Sequence, residues 1–185
     1  STKKRFVNLR VPVFEGKKEI MKTIYFVRHA KSSWKDPSLR DFDRPLNKRG
    51  FRDAPFMATL AKSKGARPGL IVSSPANRAL TTATFFAKEL GIEPDDIQQR
   101  PEIYEAFPDQ VLAIVRSLPD EVGEVFVFGH NPPFTSLANQ FTKDPIDNVP
   151  TCGIVRLVST ADEWQNLDTD NTRLTAFHYP KQYFD

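Results

Sequence analysis

The sequence predicts a single α/β/α domain, three layers deep, with a central sheet that is mainly parallel but mixed. Three observations predict it. Short β-branched or aromatic runs alternate with longer stretches of helical period. Helical stretches separate the earlier runs, as parallel pairing requires, whereas the last two runs have no helix between them and are expected to pair antiparallel. At 185 residues the chain has the length of one domain, with a core that needs no covalent staple.

Strands are expected at residues 23–27, 70–73, 125–128, 154–158 and 174–178, with a weaker one near 97–100. Helices are expected at 48–63, 76–90, 109–117 and 134–141. Several boundaries have a local cause. Asn47 offers a side-chain oxygen to the first turn of the first helix, and Gly65 supplies a stop after it. Pro75 stands where the second helix begins, and Gly91 closes it with Pro94 just beyond. Pro132-Pro133 marks a strand-to-helix corner, and residues 144–150 read as a loop before the C-terminal strands. Pro55, inside the first helix, is expected to kink or split it. Residues 1–20 are read as an extension ahead of the domain at 21–185. Met21 resembles an ordinary start, and Val11 and Val13 suit either an added edge strand or a plain tail.

Composition excludes several classes. The single cysteine, Cys152, has no internal disulfide partner, and one cysteine with three histidines cannot build an ordinary four-ligand zinc site. No apolar run reaches the ~18 residues of a membrane span. The basic start, Ser1-Thr2-Lys3-Lys4-Arg5, leads into a segment too broken for a signal-peptide core. A reducing, cytoplasmic setting without membrane contact is expected. The charge balance, 26 Lys+Arg against 23 Asp+Glu, suits anionic ligands without indicating nucleic acid. The basic stretch of Lys31, Lys35, Arg40, Lys48, Arg49 and Arg52 reads more simply as a solvated face than as a docking surface for an acidic partner.

The unusual chemistry follows three apolar runs. Residues 23–27 lead into Arg28-His29-Ala30-Lys31, residues 70–72 into Ser73-Ser74-Pro75-Ala76-Asn77-Arg78, and residues 124–128 into Gly129-His130-Asn131-Pro132. Ligands of open α/β sheets bind beyond the carboxyl ends of the strands. Parallel pairing of these strands brings Arg28, His29, Arg78 and His130 to one edge. Two guanidinium forks and a helix start suit phosphate oxygens, and their charge is expected to hold a neighbouring imidazole neutral and nucleophilic.

Taken together, Arg28-His29-Ala30-Lys31-Ser32-Ser33-Trp34, Arg44-Pro45-Leu46, Ser73-Ser74-Pro75-x-x-Arg78, Tyr104-Glu105-Ala106 and Gly129-His130-Asn131-Pro132 resemble the histidine phosphatase superfamily, and within it the SixA-like branch of small phosphohistidine phosphatases. The similarity runs from about Met21 to Trp164; Ala30 stands where the broad superfamily has glycine. The resemblance implies a phosphoglycerate mutase-like fold and a covalent mechanism without metal or cofactor. His29 attacks phosphorus, while Arg28, Arg78 and His130 hold the phosphoryl oxygens. Glu105 is the candidate proton donor to the leaving group, with Asp36, Asp41 and Asp43 as rivals. Lys31, Ser32, Arg44 and Asn131 are expected near the pocket rim; Arg44 equally suits pairing with Asp41 or Asp43, and Asn131 suits fixing the His130 loop. The implied substrate is a phosphorylated molecule, foremost a phosphohistidine-bearing protein. The alternatives are a sugar or nucleotide phosphatase, or a catalytically silent phospho-ligand binding module on the same fold. Signatures of cysteine phosphatases, phosphate-loop enzymes and serine hydrolase elbows are absent.

Overall fold

The computed structural model describes residues 21–184. The expectations for residues 1–20 lie outside the described residues. In chain order the elements are β1 (Lys22–Arg28), α1 (Lys48–Ser63), β2 (Leu70–Ser73), α2 (Asn77–Leu90), β3 (Gln98–Gln99), α3 (Pro108–Arg116), β4 (Glu124–Gly129), α4 (Pro133–Gln140), β5 (Ile154–Ser159) and β6 (Thr172–His178), with short 3-10 turns between some of them. The strands form one mixed sheet in the order β3-β2-β4-β1-β5-β6. β1, β2, β3 and β4 pair in parallel, whereas β5 runs antiparallel to both β1 and β6.

The pleat sends alternate residues of each central strand to opposite faces, so β1 and β4 are buried on both sides. Ile24, Phe26, Val125 and Val127 join the core that includes Val111, Val115, Phe134 and Leu137 of α3 and α4. Tyr25, Val27, Phe126 and Phe128 join the core that includes Met57, Ala58, Ala83 and Phe86 of α1 and α2. Two separate apolar cores on the two faces make the three layers.

Most local expectations hold. The Asn47 side chain accepts from the Gly50 N–H at 2.9 Å, and Gly91 ends α2 in the left-handed region at φ 78°. Of the two outcomes expected at Pro55, a split does not occur, since α1 runs through it. The proline and Phe51, whose carbonyl loses its intrahelical donor, both lie on the exposed face, where the unpaired carbonyl is open to solvent. Two glycines position the site. A Cβ on Gly50 would collide with the Lys31 carbonyl, so this glycine lets α1 press against the loop that follows His29. A Cβ on Gly129 would lie 2.6 Å from Phe134 Cζ, so this one lets α4 close under the strand end beside His130.

Candidate active site

β2, β4 and β1 are neighbours in the sheet, and their pairing extends past the last strand residues. The His29 N–H donates to the Gly129 carbonyl and the Ser74 N–H to the Phe128 carbonyl, both at 3.0 Å. His29, Ser74 and His130 therefore stand side by side at one edge, with the imidazole centroids of His29 and His130 5.3 Å apart. His29 Nδ1 lies 2.7 Å from the Ala30 carbonyl. A carbonyl can only accept, so Nδ1 carries the proton and Nε2 keeps its lone pair. The Ala30 N–H in turn donates to Thr82 Oγ1 of α2 at 3.0 Å, tying the turn to the second helix.

Arg28 donates through one terminal nitrogen to the Val149 carbonyl at 3.0 Å. Cys152, left-handed at φ 60°, sends its N–H to the carbonyls of both Arg28 and His29 at 3.0 Å, so the 149–152 segment clamps the turn that carries His29. Arg78, in the first turn of α2 and only 7% exposed, grips Asp41 with two nitrogens, reaching its carbonyl at 2.7 Å and its carboxylate at 2.9 Å. The Asp41 carboxylate also accepts from Arg44 at 2.9 Å and from the Tyr104 hydroxyl at 2.8 Å. His130 Nε2 lies 2.8 Å from Ser74 Oγ. Two buried nitrogens, Arg28 Nε and His130 Nδ1, have no hydrogen-bond partner among the described residues. An adjoining cleft of about 330 Å³ is lined by Asp41, Arg78, Tyr104, Glu105, His130 and Asn131 together with Ala106, Pro132 and Pro133.

Of the four residues expected to converge, His29 and His130 stand side by side and Arg28 and Arg78 lie near enough for their charge to act on both imidazoles, while Arg78 and His130 line the cleft. Glu105 is exposed at the cleft with φ 59°, a left-handed conformation uncommon for a side chain of its size. Asn131 lines the cleft yet spends its amide on structure, donating to the Val149 carbonyl at 2.9 Å and accepting from the Thr135 N–H at 3.1 Å. Lys31, Ser32 and Arg44 are not among the residues lining this cleft, and neither are Arg28 and His29; for Arg44 the alternative expectation, pairing with Asp41, is the one observed. Arg44 turns inward because Asp41, the Ser33 carbonyl and the Ser32 hydroxyl all take its N–H groups, while the Trp34 ring covers its outer face at 3.2 Å. Lys31 contributes its backbone, accepting from the Asn47 N–H at 2.9 Å. Of the rival acids, Asp36 is capped by Ser38 and Asp43 pairs with Arg40, both on the exposed surface. Sequence reasoning gave no role to Ser74, Tyr104 or the Val149 carbonyl. Ser74 and Tyr104 sit inside the motifs that were read; nothing in the sequence marks Val149.

Burial is the main force on both imidazoles. It pushes the His29 pKa down to about 3, with the charges of His130, Arg78 and Arg28 adding to the effect against the opposing Ala30 bond. His130 falls to about 4, first through burial and then through Arg78. The sequence pointed to the arginines as the cause; they contribute, but desolvation leads. For Asp41, burial works upward and is outweighed by hydrogen bonds from Tyr104, Arg44 and Arg78, which hold the carboxyl at about 2. It is therefore ionised at neutral pH and cannot serve as a proton donor. Between pH 6.5 and about 4 the unfolded chain binds protons at these two histidines and the native protein does not, so stability falls as the pH falls through that window. The denaturant midpoint is expected to drop from pH 7 to pH 5, and to drop less in His29→Gln. Equal drops would mean that His29 titrates normally in the native state.

Paired histidines and arginines at parallel strand ends beside a cleft make this an α/β protein whose site has chemistry suited to an oxyanion. Comparison with known proteins gives the family. The model for the histidine phosphatase superfamily (branch 1) matches residues 24–107. An uncharacterised chloroplastic protein of Arabidopsis thaliana is 30% identical over 155 residues, covering 79% of this chain and 70% of its own length. A SixA protein from Agrobacterium tumefaciens, provisionally assigned as a phosphohistidine phosphatase, is 34% identical, with a TM-score of 0.72 over 86% of this chain and 98% of that one. A phosphoglycerate mutase from Bacillus anthracis shares the fold at 14% identity, with a TM-score of 0.64 over 84% and 92% of the two chains. The chain belongs to the histidine phosphatase superfamily, and within it to the SixA-like branch.

Proposed function

We propose that residues 21–185 form one histidine phosphatase domain that hydrolyses phosphohistidine, and more slowly phosphate monoesters, through a phosphorylated His29. The observation that carries this reading is the state of His29. Its Nδ1–H is committed to the Ala30 carbonyl at 2.7 Å, its low pKa leaves Nε2 unprotonated, and the second imidazole is 5.3 Å away. Nε2 attacks phosphorus, the bond to the leaving group breaks, and water then cleaves the phosphoryl group from His29.

Arg28, Arg78 and His130 hold the phosphoryl oxygens as charge shifts in transfer. The buried and unpartnered Arg28 Nε and His130 Nδ1 support this assignment, since polar nitrogens are seldom buried without a partner. Ser74 Oγ, beside His130 Nε2, is suited to donate its hydroxyl hydrogen there, which leaves the proton on Nδ1 for an oxyanion. Glu105 is the side chain for giving a proton to an ester leaving group. The guanidinium groups supply the positive charge that other phosphatases take from a metal, so the proposal includes no cofactor. The partner class is a protein carrying phosphohistidine.

The test is to trap the intermediate. Brief incubation with phosphoramidate labelled at phosphorus, followed by an alkaline quench, is expected to leave label that is stable to base, lost in acid, and located by mass spectrometry on His29. Turnover with no such label, or label on another residue, would overturn the mechanism. Absence of turnover would favour a silent binding module.

A further inference from the structure

The cleft carries both signs of charge. Arg78 and His130 line it together with two carboxylate side chains, Asp41 and Glu105, and with Tyr104, and Asp41 is ion-paired to Arg78 at 2.9 Å. A carboxylate beside a site for a doubly charged phosphoryl group is unfavourable for an ordinary phosphate ester. It suits a substrate that is itself a dipole, with a dianionic phosphoryl group on a cationic ring.

We propose that Asp41 is the specificity-determining residue for phosphoramidates, its carboxylate accepting a hydrogen bond from the distal N–H of the leaving imidazole; this rests on the reading of the cleft as a phosphatase site. Three features of Asp41 support it. The side chain is 48% exposed and so within reach of a ligand. Three donors from separate parts of the chain, Arg44, Arg78 and Tyr104, fix its orientation. Two of those bonds fall on Oδ2 and one on Oδ1, which leaves an acceptor position on Oδ1, because a carboxylate has about four.

The chemistry balances without an acid. The substrate ring carries its proton on the distal nitrogen and the phosphoryl group on the other. As His29 Nε2 forms its bond to phosphorus, the substrate N–P bond breaks and its electron pair returns to the ring, which departs as neutral imidazole with its N–H still on Asp41. His29 becomes the phosphorylated imidazolium, its own Nδ1–H remaining on Ala30. Water then adds to phosphorus, dihydrogen phosphate leaves, and His29 returns neutral. An alkoxide has no such N–H and needs a proton that the ionised Asp41 cannot supply.

The experiment compares three substrates with the purified protein: phosphoimidazole, its N-methyl analogue (cationic but without the N–H) and p-nitrophenyl phosphate, each corrected for spontaneous hydrolysis. The wild type is expected to favour phosphoimidazole over the methyl analogue in kcat/KM by about tenfold or more, the scale of one charge-assisted hydrogen bond. Asp41→Asn is expected to lose that preference and, because Asp41 also holds Arg78, to slow both substrates, phosphoimidazole by about tenfold or more beyond the loss on aryl phosphate. Equal losses on both substrates in Asp41→Asn would make Asp41 only a support for Arg78 and overturn the proposal. So would a wild type indifferent to the N–H, a readout that does not depend on the variant folding. Hydrolysis of none of the three by the wild type would instead overturn the phosphatase reading on which this one rests.

Discussion

Replacing His29 with alanine is expected to lower kcat on p-nitrophenyl phosphate by at least about four orders of magnitude, the scale on which loss of a covalent nucleophile is felt. Affinity for tungstate or inorganic phosphate is expected to fall by no more than about tenfold, because the groups that carry positive charge remain. The small cavity left beside Ala30 costs some stability, but His29 donates its N–H to Gly129 through the backbone, and that contact survives the substitution. Kinetics and isothermal titration on the same preparation separate the two effects. Turnover retained within about a hundredfold would move the nucleophile elsewhere, since no remaining group has an imidazole nitrogen in the same place.

The second large effect is expected at Arg78. Arg78→Ala should reduce kcat/KM by about a thousandfold, comparable to removing an arginine that stabilises charge in phosphoryl transfer. Arg78→Lys should recover only a small part of that loss. The guanidinium meets the Asp41 carbonyl at 2.7 Å and carboxylate at 2.9 Å with two different nitrogens, and its remaining N–H groups stay available to an oxyanion. A lysine offers one point charge and cannot span both tasks. Steady-state kinetics of both variants, with thermal melts to show that the fold persists, tests this. Full activity in Arg78→Lys would mean that charge alone matters and that the fork on Asp41 is incidental.

The lines that were legible in the sequence are those whose causes are local. The strand at β2 and the helix at α1 are observed at the expected residues, 70–73 and 48–63, because an apolar run, a cap and a stop lie next to one another in the chain. Whether Pro55 would split α1 was not legible, because a proline's cost depends on which helix face it occupies, and that is set by what α1 packs against. For Arg44 the pairing expected as the alternative to a rim position is observed, but its burial was not legible. An arginine beside two aspartates reads as a surface pair, yet this one is buried under Trp34 and its charge is spent holding Asp41. The Asp41 carboxylate looked like a plausible acid until its three hydrogen-bond donors were seen together.

By itself the sequence determined the alternation of strand and helix, and that Arg28, His29, Arg78 and His130 sit at or just past the ends of apolar runs or at the helix start that follows one. These follow from hydrophobic period and turn chemistry within a few residues of each position. Only the tertiary structure decided which side chain His130 Nε2 meets, Ser74 just past the neighbouring strand, and which groups anchor the arginines: Asp41 for Arg78, 37 positions away, and the Val149 carbonyl for Arg28, 121 positions away. Hydrogen bonds depend on distances of tenths of an ångström between groups that the chain brings together only after the sheet has assembled, and no local pattern encodes such a distance.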